Sequence, residues 1–202
     1  FNLLTGGKTI LLACLCAGIS VIFCIMLHSF GKVFKTFSPN PYERVFFGGT
    51  VILCITLLLG TTRYSGTGIE VIVSAIGGTA RNTDFFWKML FTAITLACGY
   101  KGGEIIPSFF VGATFGCVIA PVLGLSSSLG AAIGMVSVFC GVTNCPIASL
   151  LIALELFGKV PILYFLLAIA ISYMLSGYYS LYKTQIIAVS KYKNEYVDKK
   201  TH

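Results

Sequence analysis

The stretch KGGEIIPSFFVGATFG, Lys101 to Gly116, sets a glycine pair, a carboxylate and a proline at the mouth of an apolar helix. Gly102 and Gly103 permit a tight turn or positive φ. Pro107 suits the first helical turn, where its missing N–H would have had no partner. The remaining first-turn N–H groups stay free and sit at the positive end of the helix dipole, which makes the terminus a ready anion site. A helix broken in this way inside a bilayer is a transporter device.

The rest of the chain supplies the bilayer context. Its 202 residues are 56% hydrophobic and 10% charged, with mean hydropathy +0.91, far too apolar for a soluble domain. Apolar runs recur at Thr9–Leu27, Val45–Leu59, Phe85–Gly99, Ile105–Leu125, Leu129–Val142, Ile147–Leu156 and Ile162–Leu175. Several are shorter than the roughly 20 residues a straight spanning helix needs. Short runs are tolerated at membrane depth only when longer neighbours enclose them. The expected fold class is therefore all-α: a polytopic membrane protein with tilted, broken and re-entrant helices.

Turn chemistry orders these runs. The first helix is expected to end near Lys32, and SPNP at Ser38–Pro41 leads into the second. The connector TTRYSGTGIE precedes a short helix over Ile69–Ile76, which Gly77 and Gly78 stop. ARNTD then supplies a capping residue for a helix from Phe85. The serines 126–128 start another helix, and TNCP at Thr143–Pro146 breaks it. Gly112 and Gly116 form a small-xxx-small pair suited to close helix approach. Residues 1–182 form the transmembrane domain, and 183–202 a basic tail. SGYYSLYKTQII, between helix and tail, has moderate helix potential.

Several function classes fall away. The net charge of +7 suggests nucleic acid, but the cations lie in loops and tail rather than in a patch interleaved with stacking aromatics. By the positive-inside rule, the lysines at 183, 191, 193, 199 and 200 put the tail in the cytoplasm, with the inner membrane as the expected location. The loop with Lys32, Lys35 and Arg44 competes for the same side. The eight cysteines lie in or beside apolar runs and read as small hydrophobes rather than a disulfide framework or metal site. GGKT at Gly6–Thr9 imitates a phosphate loop, but its required earlier glycine falls at Asn2. Ser65 in YSGTG has Arg63 where a nucleophile elbow needs glycine. An enzyme is not expected. Phe1 is not an initiating methionine, and no signal peptide precedes Thr9, so the chain reads as part of a longer protein.

Among ionisable groups near apolar sequence, Glu70, Glu104 and Glu155 are functional candidates by default. Glu155 alternatively pairs with Lys159 at i,i+4, and Glu70 sits in a loop. Glu104 favours the helix dipole itself and competes with an anion unless its side chain turns away. His28 reads as a helix-closing residue before a proton relay. The tyrosines 173, 178, 179 and 182 read as an interface belt, from which one hydroxyl is available to an anion.

Taken together, these residues resemble the CLC chloride channels and proton-coupled anion transporters. GEIIP at Gly103–Pro107 is similar to that family's Gly-x-Phe-x-Pro signature, followed by the small-residue helix FFVGATFG. GVTNCPIASLLIALEL, Gly141–Leu156, resembles its later helix pair, and SLYKTQII falls where its anion-contacting tyrosine belongs. The resemblance implies the second of two inverted repeats, in a homodimer with one anion pathway per subunit. It implies that backbone N–H groups around Gly103, Glu104, Ile105 and Ile106 hold the dehydrated ion, that Tyr182 donates its hydroxyl, and that the first helix and the pair over Ile147–Leu175 face the partner. It also implies membrane lipid and protons as partners, no cofactor beyond the transported chloride or fluoride, and a gating glutamate upstream of Phe1. Two departures stand out: Ile105 replaces the signature phenylalanine, and Glu104 resembles the bacterial fluoride-exporting branch. The competing readings are another broken-helix carrier, for an organic anion or coupled to sodium, and a membrane scaffold whose helix mouth is filled by protein.

Overall fold

A computed structural model describes residues 2–158, 162–182, 184–192 and 195–201, without the side chains of Asp198 and Lys199. Eight α-helices follow in order: α1 Leu3–Phe37, α2 Pro41–Leu59, α3 Ile69–Ile76, α4 Asp84–Ala97, α5 Ile105–Ile119, α6 Ser127–Thr143, α7 Pro146–Phe157 and α8 Ile162–Leu175. A single 3₁₀ turn, Pro121–Leu123, extends α5. Among the described residues, Leu3–Phe37, Pro41–Leu59 and Ile105–Leu123 are long and apolar enough to cross a membrane, while α6, α7 and α8 are apolar but shorter. The expected mixture of long and broken helices is present.

Local chemistry sets the boundaries. Asn2 caps α1 by accepting from the Leu4 N–H at 3.2 Å, and Asn40 caps α2 with Pro41 in its first turn. Helix α1 runs past the expected stop at Lys32. Only Gly31 interrupts the helix formers there, and the turn residues Ser38 and Pro39 end it instead. Ser126 caps α6, accepting from Leu129 N–H at 3.4 Å. Asn144, in the left-handed conformation with φ +57°, closes α6, and Pro146 opens α7. Asp84 differs from expectation: it is the first residue of α4 and forms no side-chain cap on it.

The buried seam between α5 and α6 is the tightest packing in the fold. A methyl group on Gly112 would stand 2.5 Å from the Gly134 carbonyl oxygen, and one on Gly116 would collide with the Gly130 carbonyl. Phe109 and Phe139 meet across the same seam at 4.9 Å between ring centroids. Helices α1, α4 and α8 pack around this pair, with Leu12, Phe23, Val111, Ile133 and Phe165 fully buried between them. A second cluster, including Tyr64, Ile72, Phe91 and Phe110, joins α3, α4 and α5.

Beside that second cluster lies a buried polar knot. The Asp84 carboxylate, fully buried, accepts from Arg63 Nη2 at 2.9 Å, from the Tyr64 hydroxyl at 2.7 Å and from the Arg81 N–H at 3.1 Å. One turn on, the buried Lys88 ammonium donates to the Tyr64 carbonyl at 3.2 Å and to the Gly66 carbonyl, and lies 5.1 Å from the Phe110 ring centroid. Together they pin the 61–68 connector against α4 and α5.

The terminal segment departs from expectation. Residues 176–182, 184 and 185 are not helical, and Ile186–Val189 (β1) pairs antiparallel with Tyr196–Lys200 (β2). β-branched and aromatic residues in IIAV and YV favour strand over helix. The tyrosines engage this hairpin: Tyr178 and Ser190 hydroxyls are 3.0 Å apart, and Tyr192 donates to the Met174 carbonyl at 2.7 Å. All eight cysteines are free. Cys16, Cys24, Cys98, Cys117 and Cys140 are buried as expected, whereas Cys14, Cys54 and Cys145 are exposed. The Glu155–Lys159 pair involves a residue outside the described ones.

Two stability tests follow. Gly116→Val overpacks the seam and is expected to cost about 1–3 kcal/mol or more, lowering the melting temperature of the whole protein in detergent. Gly18→Ala, where a methyl meets nothing within 4 Å, should leave it unchanged or raised. Asp84→Ala strands the Arg63 guanidinium and the Tyr64 hydroxyl, and a loss of about 3–5 kcal/mol is expected. A melting curve coincident with wild type would show that the knot contributes nothing.

Candidate functional site

Helix α5 begins where α4 and its short connector deliver it. Gly99 takes the left-handed turn, φ +99°, while Gly102 and Gly103 do not adopt positive φ. A methyl on Gly103 would meet nothing within 4 Å and one on Gly102 only the Leu96 side chain at 3.8 Å, so the chain there borders open space. Glu104 occupies the N-cap position with φ −97° and ψ −18°, and its side chain makes no capping bond to α5. The first backbone hydrogen bond of this terminus runs from Ser108 N–H to the Glu104 carbonyl at 3.2 Å. The amides of Ile105 and Ile106 therefore have no backbone acceptor among the described residues, and Pro107 has no N–H to offer.

Two cavities flank this mouth. One, of about 230 Å³, is lined by Glu104 together with Leu27, His28, Gly31 and Lys35 of α1, Leu96 and Ala97 of α4, and Leu181. The other, of about 250 Å³, takes Gly102, Gly103, Ile106 and Pro107 from the mouth, and Lys88, Thr92 and Thr95 from α4. A larger space of about 580 Å³ lies over the 61–71 region, lined by Arg63, Arg81 and Glu70 among others. Residues on either side of Ile105 thus border open space, while Ile105 itself lines none of these three cavities.

The five residues singled out in the sequence divide across this arrangement. Glu104 borders the first cavity, Gly103 and Ile106 the second, and Ile105 stands between them, 41% exposed. Tyr182 is 42% exposed, and its neighbour Leu181, not Tyr182 itself, lines the Glu104 cavity. The strap 180–182 is held from several directions. Leu181 N–H donates to the Val142 carbonyl at 2.9 Å, His28 Nε2 lies 3.4 Å from the Leu181 carbonyl, and Ser180 Oγ donates to Gln185 Oε1 at 2.6 Å.

Lys35 and Lys88 are cavity residues that sequence reasoning missed. Lys88 had a visible signal, being a lone cation inside the apolar run Phe85–Gly99. His28 was read as closing its helix; it lies nine residues before the end of α1, where its ring faces the strap and the Glu104 cavity. The placement brings a carboxylate, an imidazole, a lysine and a dipole-bearing helix mouth to one small volume. A helix N-terminus carries partial positive charge and unbonded donors that favour anions, and here it stands beside ionisable side chains.

Comparison with known proteins places the sequence and the fold. Residues 1–177 match the family model described as voltage gated chloride channel. Over 178 residues, 85% of this chain, it is 35% identical to a protein named chloride/fluoride channel protein from Pseudomonas syringae pv. tomato. An uncharacterized protein of Methanocaldococcus jannaschii is 22% identical over 69% of the chain. The chain spans 39% and 38% of those two relatives' lengths. Among solved structures, the crystal structure of a CLC-type fluoride/proton antiporter superposes with a TM-score of 0.87 at 29% identity, covering 90% of this chain and 46% of that one. With the family model matching almost the whole helical body and the fold following the same plan, the chain belongs to the voltage gated chloride channel family.

Proposed function

We propose that the protein carries an inorganic halide, chloride or fluoride, across the membrane as the second half of a CLC-type pathway. One observation carries this reading: the Ile105 and Ile106 amides, lacking backbone acceptors, point the positive end of α5 into a mouth with open space on both flanks. Neutral donors and a helix dipole bind an anion firmly enough to strip its water and loosely enough to release it. Gly103 borders the open space of the mouth, and Glu104 lies at the proposed ion site without capping the helix. The Tyr182 hydroxyl is the complementary donor from the strap.

Fluoride with proton exchange is the finer reading. Its support is Glu104, a carboxylate at the mouth beside His28, together with the relatives whose names mention fluoride and an antiporter. Homodimerisation is part of the same reading. Its support is the apolar surface of α7 and α8, where Ile147, Leu151 and Leu163 are 76%, 61% and 54% exposed. The membrane is proposed to be the inner one, with the tail in the cytoplasm.

The whole protein in liposomes should move fluoride or chloride down an imposed gradient, measured with an ion-selective electrode. Absence of flux for both ions refutes halide transport. Halide flux without accompanying pH change identifies a channel rather than an antiporter. Tyr182→Phe removes a donor to an anion, and an affinity loss of about tenfold is expected by calorimetric titration of the halide. Unaltered affinity would reassign Tyr182 to packing. Glu104→Gln, which preserves shape but removes the titratable group, should abolish coupled proton movement while halide still binds.

A further inference from the structure

The terminal hairpin is tied at one end to the strap that carries Tyr182 and at the other to the ends of helices α6 and α8. At the strap's base, the Tyr182 carbonyl accepts from the Thr201 hydroxyl at 2.7 Å and from the Gln185 N–H at 3.1 Å. Thr201 follows β2 directly, is 7% exposed, and its N–H donates to the Gln185 carbonyl at 3.1 Å. Gln185 in turn donates through Nε2 to the Thr143 carbonyl at 3.1 Å, at the end of α6. At the far end of the hairpin, beyond β1, Lys191 enters the gap between helix ends. Its ammonium donates to Asn144 Oδ1, to the Tyr173 carbonyl at 2.8 Å and to Ser176 Oγ at 3.2 Å, and lies 4.2 Å from the Tyr173 ring centroid.

Each contact has a reason. A lysine placed over the carboxyl-terminal ends of α6 and α8 meets their negative dipole ends, the Tyr173 carbonyl and the Asn144 side-chain oxygen. All three of its donors find oxygen, and the tyrosine face accepts the cation. Burial nonetheless pushes the ammonium down to about 8, so the position is selected by geometry against a desolvation cost. A basic tail in solution needs no such plug. The hairpin is therefore anchored at its turn end by Lys191 and grips the strap at its base by Thr201.

We propose that Lys191 and Thr201 are positioning residues for the halide site, the hairpin acting as a clamp that sets where Leu181 and Tyr182 stand relative to the mouth of α5. This rests on the halide reading above. Leu181 is the strap's contribution to the Glu104 cavity, and its carbonyl is the group His28 approaches. Releasing the clamp lets that wall of the cavity move while α5 and α6 stay packed through their own backbone contacts at Gly112, Gly116, Gly130 and Gly134.

The test uses the whole protein with Thr201→Val, Thr201→Ser, Lys191→Met and Lys191→Arg. Hydrogen–deuterium exchange at the Leu181 and Tyr182 amides should quicken about tenfold in Thr201→Val and Lys191→Met, and stay near wild type in Thr201→Ser. In liposomes the halide KM should rise about three- to tenfold in the same two variants with kcat less affected, and the serine should restore it. Lys191→Arg should fall between methionine and wild type, since the guanidinium keeps the charge but not the shape. Unchanged exchange at both amides overturns the clamp. Faster exchange with wild-type KM overturns its role at the ion site. A wild-type protein that moves no halide refutes the transport reading, while the exchange measurement still decides whether the hairpin holds the strap.

Discussion

At Gly112 and Gly116 the backbone of α5 lies directly against that of α6, and most of the molecule depends on that approach. Gly112 and Gly116 face Gly134 and Gly130, so carbonyl oxygens and α-carbons occupy the space that side chains would otherwise fill. In a lipid solvent there is little hydrophobic gain from bringing two helices together. Close van der Waals contact supplies the attraction, and small residues permit it. The seam fixes the axis of α5, and with it the place where its unbonded amides point. Helices α1, α4 and α8 then wrap a pair whose geometry is already determined, which is why short helices such as α6 remain at membrane depth without exposing backbone.

A rigid axis also explains how Glu104 is accommodated. A carboxylate at an N-terminus ordinarily bonds its own helix and cancels the dipole. Here the cap residue has αR backbone and makes no such bond, leaving the carboxylate in a cavity shared with His28, Lys35 and Leu181. The helix end and the acid thus act as separate groups at one site: fixed partial charge from the backbone, titratable charge from the side chain.

Much of this was legible from residue order. Glycine, proline and asparagine punctuation located the helices to within a few residues, because those residues act through backbone sterics that need no tertiary context. The break at Asn144–Pro146 and the Gly112/Gly116 seam are examples. Helix α1 was read short because a lone Gly31 weakens a helix without ending it, and the packing of Leu27 and its neighbours carries the helix through. The hairpin was missed because its strands are four and five residues long, and the tyrosines around it resemble an interface belt until Ser190 and Lys191 are seen to meet them. Lys35 and Lys88 became site residues only through folding, since neither lies near the signature motif in sequence.

The two sides of the mouth are built with opposite mechanical character. On one side stand backbone donors of a helix locked by a glycine seam, which cannot shift without breaking the tightest packing in the fold. On the other side runs a non-helical strap, suspended by single hydrogen bonds from Val142, Gln185, Thr201 and the neighbourhood of His28. A conducting site must bind its ion well enough to dehydrate it and then let it leave. Rigid donors alone favour a trap, and loose ones alone cannot offset the hydration shell. On the proposed halide reading, pairing an immovable helix end with an adjustable strap meets both demands, because small strap displacements would change the ion's surroundings while the donors that replace its water stay in place.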